Sequence, residues 1–215
     1  MAQRDRYFDT MPERQPLLWV AAVRRTLERW EPLVARHTLA GLQKHQKPLP
    51  EHPVSIDLLE MWQGETEHHF LLVAAGQLLK GLAMLDDPPA IDEIVAAELR
   101  EARDLNEHWE DNMPVFNVGP TRPRDPARTS GKRFADRNPR HGPYCWWAWD
   151  GARGPLITPN VTATQVHELV ETSIAACNAA RPEEPVELPA AAPRPWYFPT
   201  KEGDLWWPKL DAVSA

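Results

Sequence analysis

The stretch 65–85 most constrains what this chain can fold into. Phe70, Leu71, Val73, Ala74, Leu78, Leu82 and Leu85 recur at helical spacing and give a broad apolar face. A helix with such a face has to be buried, so the remaining elements must supply the partners that cover it.

Those partners are legible as further helices. From Pro16, tolerated at a first helical turn, Leu17, Val20, Val23, Leu27 and Trp30 recur at three- and four-residue steps. Pro32 is expected to kink or restart this helix, with a second piece from Leu33 to about residue 46. Residues 51–63 read as a connector with a short helix over 56–62, closed by Gly64. Asp86-Asp87-Pro88-Pro89 makes a turn into a helix over 90–112, which presents Ile91, Ile94, Val95, Leu99, Ala102, Leu105 and Trp109 on one side.

At Met113 the periodicity stops. Residues 113–161 read as a basic and aromatic loop region with a short helix near 131–135. Aromatic residues over 144–149, followed by Asp150-Gly151, suggest one strand of a small hairpin. Thr162 and Gln165 fit a capping box for an additional helix over 162–181, with Val166, Leu169, Val170, Ile174 and Cys177 inward. Residues 182–215 form a tail rich in proline and tryptophan, with too many large rings to leave in water; it is expected to dock on the helices or on a partner. The expected fold class is all-α: a helical bundle over 1–112, followed by an irregular region with one further helix.

Formal net charge is −7, which disfavours indiscriminate binding to nucleic acid or anionic membrane but permits a local basic patch. Cys145 and Cys177 show no metal-type spacing and read as two reduced thiols. The first seven residues contain no apolar core of signal-peptide type, and the greasiest run, 70–79, is too short to span a bilayer. The expectation is a soluble, cytoplasmic protein with no membrane partner.

Chemistry concentrates at the end of the 90–112 helix. Asp104 and His108, four apart, share a helix face, and Arg103 lies on the adjoining flank. A carboxylate beside an imidazole orients it and favours its charged form, and a histidine titrating near neutrality is a competent general acid or base. Arg103 adds a permanent positive fork for phosphate. Arginine plus histidine suffices for RNA scission, because the 2′-hydroxyl is an internal nucleophile. The same spacing also describes ordinary surface ion pairs, Arg103 with Glu107 and Asp104 with His108, each contributing about 0.2–0.5 kcal/mol.

The run Arg103-Asp104-Leu105-Asn106-Glu107-His108, on the last long helix of a bundle, resembles the Arg-polar-x-x-x-His motif of the HEPN superfamily. The resemblance covers about residues 15–112. It implies a helical, commonly dimeric protein, often a metal-independent endoribonuclease, with Arg103 and His108 of two protomers lining one cleft. A toxin or defence effector is one setting it implies, with a protein antitoxin as partner. One toxin subgroup has a tyrosine two residues after the histidine; here that position is Glu110, so control through such a tyrosine is not implied. Non-catalytic members also exist.

Directly after the motif, seven basic residues between 121 and 143, namely Arg122, Arg124, Arg128, Lys132, Arg133, Arg137 and Arg140, face two acids, Asp125 and Asp136. This segment either holds an RNA backbone, with steep salt dependence, or pairs with acidic helices of its own chain. Tyr144, Trp146, Trp147 and Trp149 either stack unpaired bases or serve as core and docking residues. Two further readings stand beside the ribonuclease: a non-catalytic scaffold that recruits a protein through the basic loop or the tail, and a metal-dependent bundle enzyme using His68, His69 and His108. The leading reading requires no cofactor or metal. His68 and His69 otherwise read as polar residues near a helix start.

Overall fold

A computed structural model of the chain describes residues 15–44, 53–107, 136–137, 147–183, 185, 197–199 and 206–208. Three helices come first: α1 (Gln15–Gln43), α2 (Leu58–Leu82) and α3 (Glu93–Glu107). They are followed by β1 (Ala148–Asp150), β2 (Gly154–Thr158), β3 (Val161–Thr162), α4 (Ala163–Ala180), β4 (Tyr197–Pro199) and β5 (Trp206–Pro208). The fold is mostly helical but not all-α, since β1, β2 and β3 form an antiparallel sheet in that order.

Pro32 lies inside α1 and does not divide it. An internal proline costs about 3 kcal/mol. Trp30 and Val34 on either side of it are fully buried, which offsets that cost by holding both halves against the same core.

The central helix α2 begins earlier than its apolar pattern suggests. Asp57 caps it, its Oδ1 accepting from the Glu60 N–H at 2.7 Å. Gly64, expected to close a short helix, is buried within α2; a Cβ there would sit 3.3 Å from Trp147 Cζ2, so the glycine lets the indole approach the backbone. His68 is therefore far inside the helix rather than at its start. Phe70 is 54% exposed, and in α3 Ile94 is 60% exposed, so both fall outside the buried faces assigned to them. The start of α3 is fixed by Asp92, whose Oδ1 accepts from the N–H groups of Ile94 and Val95 at 2.8 and 3.1 Å.

Residues 154–162 carry the main departure from the expected loop. All five residues of β2 are buried, and a buried backbone must pair its polar groups, which the neighbouring strands do. Asp150 shapes the turn before β2 by accepting from the N–H groups of Ala152 and Arg153 at 2.8 and 3.0 Å, and Gly154 takes φ 79°, a left-handed value suited to glycine. The strand expected over 144–149 is found at 148–150 among the described residues.

The capping box before α4 forms as expected: Thr162 Oγ1 accepts from the Gln165 N–H, and the Gln165 side chain accepts from the Thr162 N–H. Val166, Leu169 and Val170 of α4 join Val23, Leu27 and Trp30 of α1, and Leu71, Leu78 and Leu99, in one hydrophobic core. Cys177 is a buried free thiol, and burial pushes its pKa up. In the tail, β4 and β5 pair antiparallel and β5 lies against α1. No described helix is long and apolar enough to cross a membrane.

Candidate functional site

The end of α3 is held on α2 by a tight approach. A Cβ at Gly76 would lie 2.7 Å from Arg103 Cδ, so the missing side chain is the seat for the Arg103 stem. The Arg103 side chain is 11% exposed. Its Nε donates to Asp104 Oδ1 at 3.0 Å and stands 3.2 Å from Glu107 Oε2, and Nη2 donates to Asp104 Oδ1 as well. Its Nη1 is buried and has no hydrogen-bond partner among the described residues. The guanidinium is thus fixed in place, with Nη1 shielded from solvent.

His108 and residues 122–133 and 140 of the basic stretch lie outside the described residues, so the structure does not bring His108 into relation with Asp104. Arg137 is described. Its Nε donates to Glu98 Oε1 at 3.3 Å and its Nη1 to Glu101 Oε1 at 2.9 Å. Burial works against the charge on Arg137, but the bonds and fields of Glu101 and Glu98 overcome it, so the guanidinium titrates above its ordinary value. Part of the basic stretch is thereby clamped to α3, on the helix that carries Arg103. Of the aromatic residues, Trp147 packs against the core and meets His37 edge-on at 5.0 Å, and Trp149 also packs on the core.

Three buried polar groups stand out, and of these only His68 is among the candidates the sequence offers. Glu98, 0% exposed, accepts from Asn160 Nδ2 at 3.3 Å as well as from Arg137. Glu31, 1% exposed, is bonded to His167 Nε2 at 2.7 Å and joins α1 to α4. His68 donates its Nε2–H to the Ile157 carbonyl at 2.8 Å and stacks on Trp30 with ring centroids 5.9 Å apart. Burial lowers the His68 pKa to about 4, against the opposing effect of the Ile157 bond, so the ring is neutral at pH 7. Its Nε2 is committed to a carbonyl, which sets it apart from a metal-ligand role with His69. Among the described residues no three His, Cys, Asp or Glu side chains converge as a metal site.

The signal for two of these groups was present in the spacing. Glu31 falls in the series 27, 30, 31, 34 and Glu98 in the series 95, 98, 99, 102, both core positions of their helices. A carboxylate at a core position implies a buried partner. No family model, curated protein or solved structure matches the chain. The site therefore rests on its own geometry.

Proposed function

We propose that the chain is a metal-independent RNA endonuclease of HEPN type, acting as a homodimer whose two α3 ends share one cleft. A toxin or defence effector restrained by a protein antitoxin is the setting this reading fits. One observation carries it: Arg103, the arginine of the motif, is seated on Gly76 and held by two carboxylates at the end of α3. A guanidinium fixed in advance loses little entropy on meeting a phosphate. In the proposed reaction His108 takes the proton from the 2′-hydroxyl, the 2′-oxygen attacks phosphorus, and the bond to the 5′-oxygen breaks. That oxygen leaves with a proton handed on from the His108 imidazolium of the shared cleft, giving a 2′,3′-cyclic phosphate and a 5′-hydroxyl. Asp104 holds Arg103, and in this reading cations of the basic stretch meet the RNA backbone.

RNA incubated with the purified protein in EDTA should be cleaved, and His108→Ala and Arg103→Ala should each lower the rate by about 100-fold or more. Equal cleavage by wild type and His108→Ala, or none at all, removes the enzymatic reading. A second reading is favoured by the same arginines: Arg103 is met by Asp104 and Glu107, and Arg137 by Glu98 and Glu101, so both also fasten the fold. In that case the chain is a non-catalytic helical binding protein. Unchanged RNA mobility over a range of salt, with an intact fold, would select it.

A further inference from the structure

Away from the Arg103 site, a groove runs along α4, bounded on its other side by the α2–α3 connection and the start of α3. It has two contiguous parts, of about 690 and about 190 Å³, which share Ala90 and Thr172. The floor is apolar: Leu85, Ile91, Val95 and Leu169 rise from the core, and α4 offers Ala175 and Ala179, whose small side chains allow a backbone to approach closely. Met84 stands at one edge, 63% exposed, a side chain that adapts to varied apolar surfaces. The groove is open to solvent along one side, so a small molecule would remain wet in it.

The rim decides the occupant. Among the described residues, every ionisable side chain lining the groove is acidic, namely Asp86, Asp87, Asp92 and Glu168. Phosphate-bearing ligands are repelled by such a rim, so this is not a second RNA surface. From Gln165 to Ala180 the groove follows about 22 Å of α4, the length of a helix of about 15 residues.

We infer that this groove docks a basic amphipathic helix of a partner protein, its apolar stripe on the alanines of α4 and its lysines or arginines against Asp86, Asp87 and Glu168. Helix-in-groove recognition of this kind takes affinity from the apolar stripe and selects its partner by charge. The inference is independent of the RNA reading, since no groove residue belongs to the Arg103 site.

The test uses the full chain and a fluorescein-labelled synthetic Leu/Lys helix with its leucines on one face. Its controls are a scrambled peptide of the same composition and a Leu/Glu counterpart. Two variants are compared with wild type: Ala175→Trp, which fills the groove, and Asp87→Lys with Glu168→Lys, which cancels the net negative charge of the rim and leaves the core untouched. The Leu/Lys helix should bind wild type and lose at least about tenfold in affinity in each variant, with the Leu/Glu counterpart not binding. Equal binding by the scrambled peptide means plain charge attraction and overturns the proposal, as does full binding by both variants. So does a wild-type dimer in sedimentation that Ala175→Trp dissociates, which assigns the groove to a second copy. Binding only after deletion of residues 121–143 assigns it to the chain's own basic stretch and overturns it too.

Discussion

Acid should weaken this fold through one buried ring. His68 is fully buried, bonded to Ile157 and stacked on Trp30, with its pKa lowered from 6.5 to about 4. In the unfolded chain the same imidazole protonates as pH falls through 6.5, while the folded chain resists until about 4. A depressed folded pKa means that the unfolded state binds the extra proton, so stability is full above pH 6.5 and declines as pH falls toward 4. About 2.5 pKa units at about 1.4 kcal/mol each give about 3 kcal/mol across the whole window, and about 2.5 kcal/mol of it by about pH 4.5. For a chain of this size that amounts to about 5–10 °C in Tm.

Carboxylates titrate in the same range, so the informative quantity is the difference from a variant. His68→Gln keeps an N–H for the Ile157 carbonyl but cannot titrate. Urea unfolding of both proteins from about pH 7.5 to about 4.5 should show the wild-type advantage shrinking by about 2.5 kcal/mol. The imidazole proton shifts of His68 should stay at their neutral values throughout. A difference constant to within about 1 kcal/mol, or a ring that titrates near 6.5, refutes the argument.

Other substitutions probe separate joints of the structure. Thr162→Ala removes the side-chain half of the α4 capping box and should cost about 1 kcal/mol in chemical denaturation. Arg137→Ala strips the buried Glu98 carboxylate of its cationic partner and should cost about 2 kcal/mol, with Glu98→Gln in the same chain restoring part of it; additive losses would contradict a direct pair. Gly76→Ala places a methyl group 2.7 Å from Arg103 Cδ and forces that arginine to shift. Its gain in helix propensity, up to about 1 kcal/mol, should leave stability nearly unchanged, while RNA cleavage, if the enzymatic proposal holds, falls by about tenfold or more.

The helices were legible because their cores repeat: Val20, Val23, Leu27 and Trp30 in α1, and Leu71, Leu78 and Leu82 in α2, mark buried faces without reference to anything distant. The capping box at Thr162 was legible for the same reason, being wholly local. Boundaries set by long-range packing were not. Gly64 reads as a terminator until Trp147 is seen against it, and Pro32 reads as a break until the burial on both sides is known. Residues 154–158, with glycine and proline ahead of three residues, carry too short a pattern to separate a buried strand from a loop. At the candidate site, the pairing of Arg103 with Glu107 follows from four-residue spacing. The Arg137 clamp on Glu98 joins side chains 39 residues apart and has no local signature.

The bond between His68 and Ile157 spans 89 residues, which sets a delay during synthesis. At translation rates of about 5–20 residues per second, roughly 5–20 s separate the two partners' emergence. Throughout that interval the ring lacks its carbonyl partner, and the faces of α1 and α2 that later meet the sheet and α4 stay unsheltered. Newly made chains therefore expose apolar surface for that interval. Slow codons placed shortly before residue 157 should lower soluble yield more than the same codons placed after Ala180.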